Sequence, residues 1–146
     1  MNFIEAIKFC IDNSYADFKS RASRSQFWYF TLFVVLYIGI GILILRFIII
    51  DWAKIEEPLW KEVAVFVGYF TLVAPIVVPS FSVTVRRLHD INISGWYLGL
   101  YFAISYLDNF FGTKYIFYLI STIIFYSVCS LKGTDGKNRF GNKPLK

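Results

Sequence analysis

Arg86-Arg87-Leu88-His89-Asp90 puts two guanidinium groups, the chain's single imidazole and a carboxylate within five consecutive positions. On a helix, Arg86 lies three and four residues from His89 and Asp90, so all three share one face. Three kinds of chemistry are open to such a set. The arginines can pair with an acid and with helix-end carbonyls, with His89 as a further hydrogen-bonding partner, and so tie helix ends together. Their forks can instead hold a lipid phosphate or another anion, with His89 adding a donor when protonated. In the third reading, a headgroup-modifying enzyme uses His89 as general acid or base, oriented by Asp90 or another carboxylate. Nothing else in the chain supports that third reading. Sequence-adjacent His and Asp side chains do not face each other on a helix, and no nucleophile motif, paired acids or metal set accompanies them.

These residues are wedged between long apolar blocks. The chain is 57% hydrophobic and 21% aromatic, with a mean hydropathy of +0.55, more apolar surface than one 146-residue soluble domain can hide. Apolar blocks separated by short polar stretches fit a lipid solvent, and one membrane domain over 1–146 is expected. Cys10 and Cys129 are too few for a disulfide framework and lack zinc-ligand spacing, so they are read as free thiols, with no metal and no cofactor. A net charge of +5 invites nucleic acid as a partner, but the basic residues flank membrane segments, where anionic headgroups are nearer.

The elements that must position the motif follow in order. Residues 1–20 carry Phe3, Ile4, Ile7 and Ile11 at helical spacing, which predicts a short amphipathic helix lying at the interface or packed on the loops. It is not expected to be a cleaved signal peptide, because the following apolar run is too long. Ser23 and Gln26 have capping-box spacing and should start the first span, 26–50, with Trp28 and Tyr29 in the aromatic belt. The second span, 63–85, contains Pro75 and Pro79, which free the carbonyls of Thr71 and Pro75 and should kink the helix. Gly68, Pro75, Pro79, Ser82 and Arg86 form a narrow, partly polar face leading to the arginine pair. Ser94 is the expected N-cap of a third span, 96–111, and a fourth covers 115–131. These last two are short, and a re-entrant hairpin is the alternative. The tail, 132–146, reads as successive turns. Its Gly136-Lys137 is not a phosphate loop, since Leu131 and Asn138 stand where glycine and Ser or Thr are required.

Charge then orients the molecule. Four spans put Lys8, Lys19, Arg21 and Arg24, the Arg86–Arg87 pair and five tail residues on one side, 11 of the 15 Lys and Arg. Arg46, Lys54, Lys61 and Lys114 are left on the other. The positive-inside rule makes the first side, with both termini, cytoplasmic.

Arg21-Ala22-Ser23-Arg24-Ser25-Gln26-Phe27-Trp28, then Arg86 to Asp90 with Ser94-Gly95-Trp96, then Gly133 to Gly141 with Asn138-Arg139-Phe140-Gly141, resemble the DUF805 family of small bacterial inner-membrane proteins over nearly the whole chain. Gln26 departs from that pattern, standing where the family commonly has Glu. The resemblance implies location and architecture, and supplies no catalytic residues because the family's function is uncharacterised.

The expectation is an all-α, four-helix transmembrane bundle preceded by a short amphipathic helix, a multi-pass and nonenzymatic component of the bacterial inner membrane. Its organising cluster is Arg21, Arg24, Arg86, Arg87, His89 and Asp90, which locks helix ends or binds anionic lipid headgroups. A homo-oligomer or a second membrane protein is left open as partner; nucleic acid is not. The alternative is an oligomeric transporter or channel for small solutes or ions, suggested by Pro75, Pro79, Arg46 and Asp108.

Overall fold

The computed structural model describes residues 1–52, 57–113 and 115–144, which form helices joined by turns. Lys54, Lys114 and Lys146 of the charge count fall outside them. α1 (Phe3–Lys8) is closed by a capping box between Asn2 and Glu5, then widens into a π turn, Phe9–Asn13. The helix is therefore shorter than the expected 1–20. Asp17 ends any continuation, because its carboxylate accepts from the backbone N–H groups of Lys19 and Ser20 at 2.9 and 3.1 Å, a local turn that competes with helix. Residues 14–23 run instead as a non-helical strap of turns and bends. α1 turns Ala6 and Cys10 inward and leaves Ile4 and Ile11 exposed.

α2 (Arg24–Arg46) continues as a π turn, Phe47–Trp52. Its start is set by Ser23, whose hydroxyl accepts from the Gln26 N–H while Gln26 Oε1 accepts from the Ser23 N–H. α3 (Pro58–Asp90) is longer than the expected 63–85 at both ends. Pro58 sits in its first turn, where a missing N–H costs nothing. At the other end it carries the whole Arg86–Asp90 motif. It passes Pro75 and Pro79 without a break, and the Pro75 carbonyl, which Pro79 deprives of its helical donor, accepts the Tyr15 hydroxyl at 2.9 Å.

α4 (Trp96–Phe111) and α5 (Ile116–Ser130) complete the order. Ser94 does not cap α4. The N-cap is Gly95, in helical conformation and without a side-chain cap, and the Ser94 carbonyl accepts the Tyr97 N–H at 3.2 Å. Gly95 already has helical φ and ψ, so the N-cap position falls one residue past Ser94, on a residue with no side-chain acceptor.

α2 lies along α3 and α4 along α5. A Cβ on Gly68 would stand 2.3 Å from Leu45 Cδ1, so the glycine sets the close approach of α2 to α3. The buried apolar cluster gathers Cys10, Ala22, Phe27, Phe30, Val83, Leu88, Leu98 and Cys129, all near the end of the bundle that holds the motif. Arg24–Ile49 and Pro58–Asp90 are long and apolar enough to cross a membrane, yet only 6% and 11% of their apolar windows are covered by protein. A core helix of a water-soluble protein is mostly buried, so lipid is the solvent that fits these two. α4 and α5, at 16 and 15 residues, rise about 24 and 22 Å, less than the hydrocarbon thickness of about 30 Å.

Candidate functional site: a buried arginine cluster

Every residue from Arg86 to Asp90 is buried, with both arginines at 0% exposure. A single helix face cannot bury five consecutive residues. They are enclosed because the strap crosses one side of the last turn of α3 while the tail and the end of α5 cover another.

Asp90 is the hub. Its Oδ1 accepts from Arg21 Nε at 3.0 Å and its Oδ2 from Arg87 Nη1 at 2.6 Å. Its backbone carbonyl accepts from the Thr134 N–H at 2.8 Å and from the Thr134 hydroxyl at 3.0 Å. Arg21 donates onward to the tail carbonyls of Gly136 at 2.7 Å, Gly141 at 3.2 Å and Thr134 at 2.6 Å. Arg87 reaches the end of α5, donating to the Cys129 carbonyl at 2.8 Å and to that of Leu131, and on the strap side to Ala22 at 3.4 Å. One carboxylate and two planar forks thus join strap, α3, α5 and tail.

His89 contributes differently. Its ring stacks on Phe140, with centroids 3.8 Å apart and planes 4° apart, and its Nδ1 faces the Ser20 carbonyl at 3.3 Å. Its own carbonyl accepts from Asn138 Nδ2 at 2.9 Å. Asp90 has both oxygens on arginines, so it does not orient His89, and the two form no acid–base pair.

Arg86 points toward the N-terminal segment. Nη2 lies 3.6 Å from Cys10 Sγ and Cζ stands 5.7 Å from the Phe9 ring centroid. Among the described residues, its Nε and Nη1 have no hydrogen-bond partner. The Ser82 hydroxyl, one turn earlier, lies 2.9 and 2.8 Å from the carbonyls of Ser14 and Asp17, to which it donates. The narrow face of α3 is therefore a seat for the strap, held at Pro75, Ser82 and Arg86.

Of the sequence-predicted cluster, Arg21, Arg86, Arg87, His89 and Asp90 come together, whereas Arg24 stays exposed at the start of α2. Missed were the tail's Thr134 and Asn138, whose hydroxyl and amide close the network, and Tyr15 on the strap. The only signal for the tail was its Gly133–Gly141 pattern. Of two features that suggested transport, Asp108 has a local role, accepting from the backbone of Phe117 and Tyr118 at 3.1 and 2.8 Å and so capping α5, and Arg46 is exposed.

Residues 15–142 match the family described as "Protein of unknown function (DUF805)". The chain belongs to the DUF805 family. The match begins at the strap and ends in the tail, so it takes in every segment that the cluster joins. Inner membrane protein YhaI of Escherichia coli strain K12 is 29% identical over 131 residues, 90% of this chain and 88% of its own length. Inner membrane protein YhaH of the same strain is 31% identical over 133 residues, 90% of this chain and 89% of its own. No solved structure matches the chain.

Proposed function

We propose that this DUF805 chain is a four-span, nonenzymatic component of the inner membrane whose cytoplasmic end is closed by the Arg21–Asp90–Arg87 lock. The observation that carries the reading is Asp90 shared by two buried arginines, Arg21 from the strap 69 positions earlier and Arg87 from the preceding turn of α3. Both guanidinium forks are occupied by protein carbonyls and by Asp90. This favours a lock over headgroup binding by Arg21 and Arg87 themselves. The lock turns strap, helix ends and tail into one rigid cap at the membrane surface, the part of the molecule available to lipid or protein partners.

The orientation rests on the positive-inside distribution of Lys and Arg. Trp28 and Trp96, 39% and 86% exposed near the cap, and Trp60, 64% exposed near the far end of α3, suit two interfacial belts. Single cysteines in a Cys10→Ser/Cys129→Ser background test the topology. Glu57→Cys and Thr113→Cys should react with an impermeant maleimide in intact cells, and Asn92→Cys and Lys137→Cys only after the membrane is opened. Protection of Thr113→Cys from the outside would replace the four-span reading with a re-entrant α4–α5 hairpin.

A further inference from the structure

Arg24 is the one member of the sequence-predicted cluster that stays exposed, and its surroundings have a chemistry of their own. It lines a cavity of about 570 Å³ between the first turn of α2 and the tail, within the size range of small-molecule sites. The charged side chains of its wall are Arg24, Arg87, Lys132 and Lys143 against Asp90 and Asp135, four cations facing two carboxylates.

Neither carboxylate is available to Arg24. Asp90 is shared by Arg21 and Arg87. Asp135 is shared by Lys132 at 2.9 Å and Lys143 at 2.8 Å. Among the described residues, Arg24 has no ion-pair partner, so the cavity keeps a cationic surplus in which every carboxylate is already divided between two bases. Ser23 and Ser25 stand in the same wall, where a 23-residue helix begins and its dipole adds positive potential. The buried Arg87 guanidinium, fixed by the lock, forms a rigid part of the lining.

We infer that this cavity is an anion site for a phosphate-bearing group, held by Arg24, Lys132 and Lys143. A planar fork from the helix and two exposed ammonium groups from the tail suit a tetrahedral oxyanion approached from several directions. The group comes either from a lipid headgroup or from a soluble phosphate. Trp28 and Tyr29, about one turn further along α2 and 39% and 36% exposed, put the cavity mouth near headgroup depth. The inference rests on the cap described above as its scaffold, and adds a ligand class to it.

The test uses the full-length protein and the variant Arg24→Gln/Lys132→Gln/Lys143→Gln, which leaves Arg21, Arg87 and Asp90 in place. In one arm, both proteins are released from phosphatidylcholine nanodiscs doped with phosphatidylglycerol, and retained anionic lipid is read by native mass spectrometry. In the other, binding of inorganic phosphate to the detergent-solubilised protein is read by calorimetry. The wild type should bind in at least one arm, which names the source, and the triple variant should bind at least roughly tenfold more weakly, as expected for losing one or more charge-assisted contacts. Equal binding by the two proteins, or no binding by the wild type in either arm, overturns the site. Should the triple variant lose its helical spectrum, exposed Arg24→Gln alone carries the test, with the same expected direction and the same contrary outcome. Melting temperature reports the lock separately, so a failed site and a failed lock are distinguishable.

Discussion

Arg21 and Asp90 are 69 positions apart in the chain and 2.9 Å apart in space, with side-chain exposures of 0% and 6%. Arg87 takes the other oxygen of the same carboxylate at 2.6 Å. An ion pair this deep matters through what its removal leaves behind: a buried charge with no counter-charge costs several kcal/mol, whereas an exposed pair is worth little. The strap, the end of α3 and the tail are therefore expected to melt as one unit.

Asp90→Asn keeps the shape and removes the charge that both arginines share. A loss of about 3–5 kcal/mol is expected. Unfolding monitored by far-UV circular dichroism in mixed micelles should show it, while Asp135→Asn, on an exposed pair, should leave the unfolding midpoint nearly unchanged.

The two arginines of the motif should separate in their response to methionine. Arg87→Met leaves Asp90 with Arg21 as its remaining cation and strands the carbonyls of Cys129 and Leu131, and is expected to cost about 3 kcal/mol or more. Arg86→Met keeps an apolar stem against Phe9 and Cys10 and removes a guanidinium with two unpartnered nitrogens among the described residues. Its cost should be smaller by about 2 kcal/mol or more, because little is left unpaired. Unfolding midpoints of the two variants check the ranking.

Gly133→Ala tests how closely the tail approaches. A Cβ there would stand 1.9 Å from Asp90 Oδ2, so the carboxylate or the tail must move and the pairing with Arg87 is strained. A loss of about 1–3 kcal/mol is expected, from overpacking of a tight contact. Hydrogen exchange should locate it, with faster exchange at the Thr134 N–H, which donates to the Asp90 carbonyl.

Much of this arrangement was legible in the residues, and the reasons for the remainder are physical. Ser23 and Gln26 announced the start of α2 because a capping box is local. Arg86 to Asp90 announced themselves by composition, and the apolar blocks by length. The inward turn of the arginines was not legible, since their partners are mostly backbone carbonyls of Cys129, Leu131, Gly136 and Gly141, which any residue type carries. The strap was misjudged as helix because Asp17 turns the chain through its own N–H partners, a contest between side chain and backbone that periodicity does not reveal. Arg24 was grouped with the cluster because the first span sets Arg21 and Arg24 at the same membrane level, but three residues after Arg21 the chain has passed from strap to helix, and the two side chains part.

Tyr15→Phe addresses the proline helix. It removes the donor to the Pro75 carbonyl, which has no helical partner because Pro79 lacks an N–H. A loss of about 0.5–1.5 kcal/mol is expected. It should come with faster hydrogen exchange in residues 14–20, and with little change at the tail, since the lock is untouched.

Acid should loosen the exposed ties of Asp135 and Asp17 only well below neutral pH. Hydrogen bonds and charge from Lys143 and Lys132 bring the Asp135 carboxyl down to about 2, from an ordinary value of 3.8. Burial raises that of Asp17, but the Ser20 hydroxyl and the N–H groups of Lys19 and Ser20 outweigh it and hold the group below its ordinary value. A depressed folded value means that the stabilisation is complete above 3.8 and is lost as pH falls through the folded value, about 2 for Asp135. The Lys132 and Lys143 resonances should therefore stay constant from neutral pH down to about 4 and move only below it.

The most direct test of the lock is a double-mutant cycle on Arg21→Met and Asp90→Leu, read as unfolding free energy in mixed micelles. Each single variant should be strongly destabilised and the double variant less so than their sum, with a coupling of about 2 kcal/mol or more. Additivity within about 0.5 kcal/mol would contradict the account, because two residues that add independently do not hold strap and helix together.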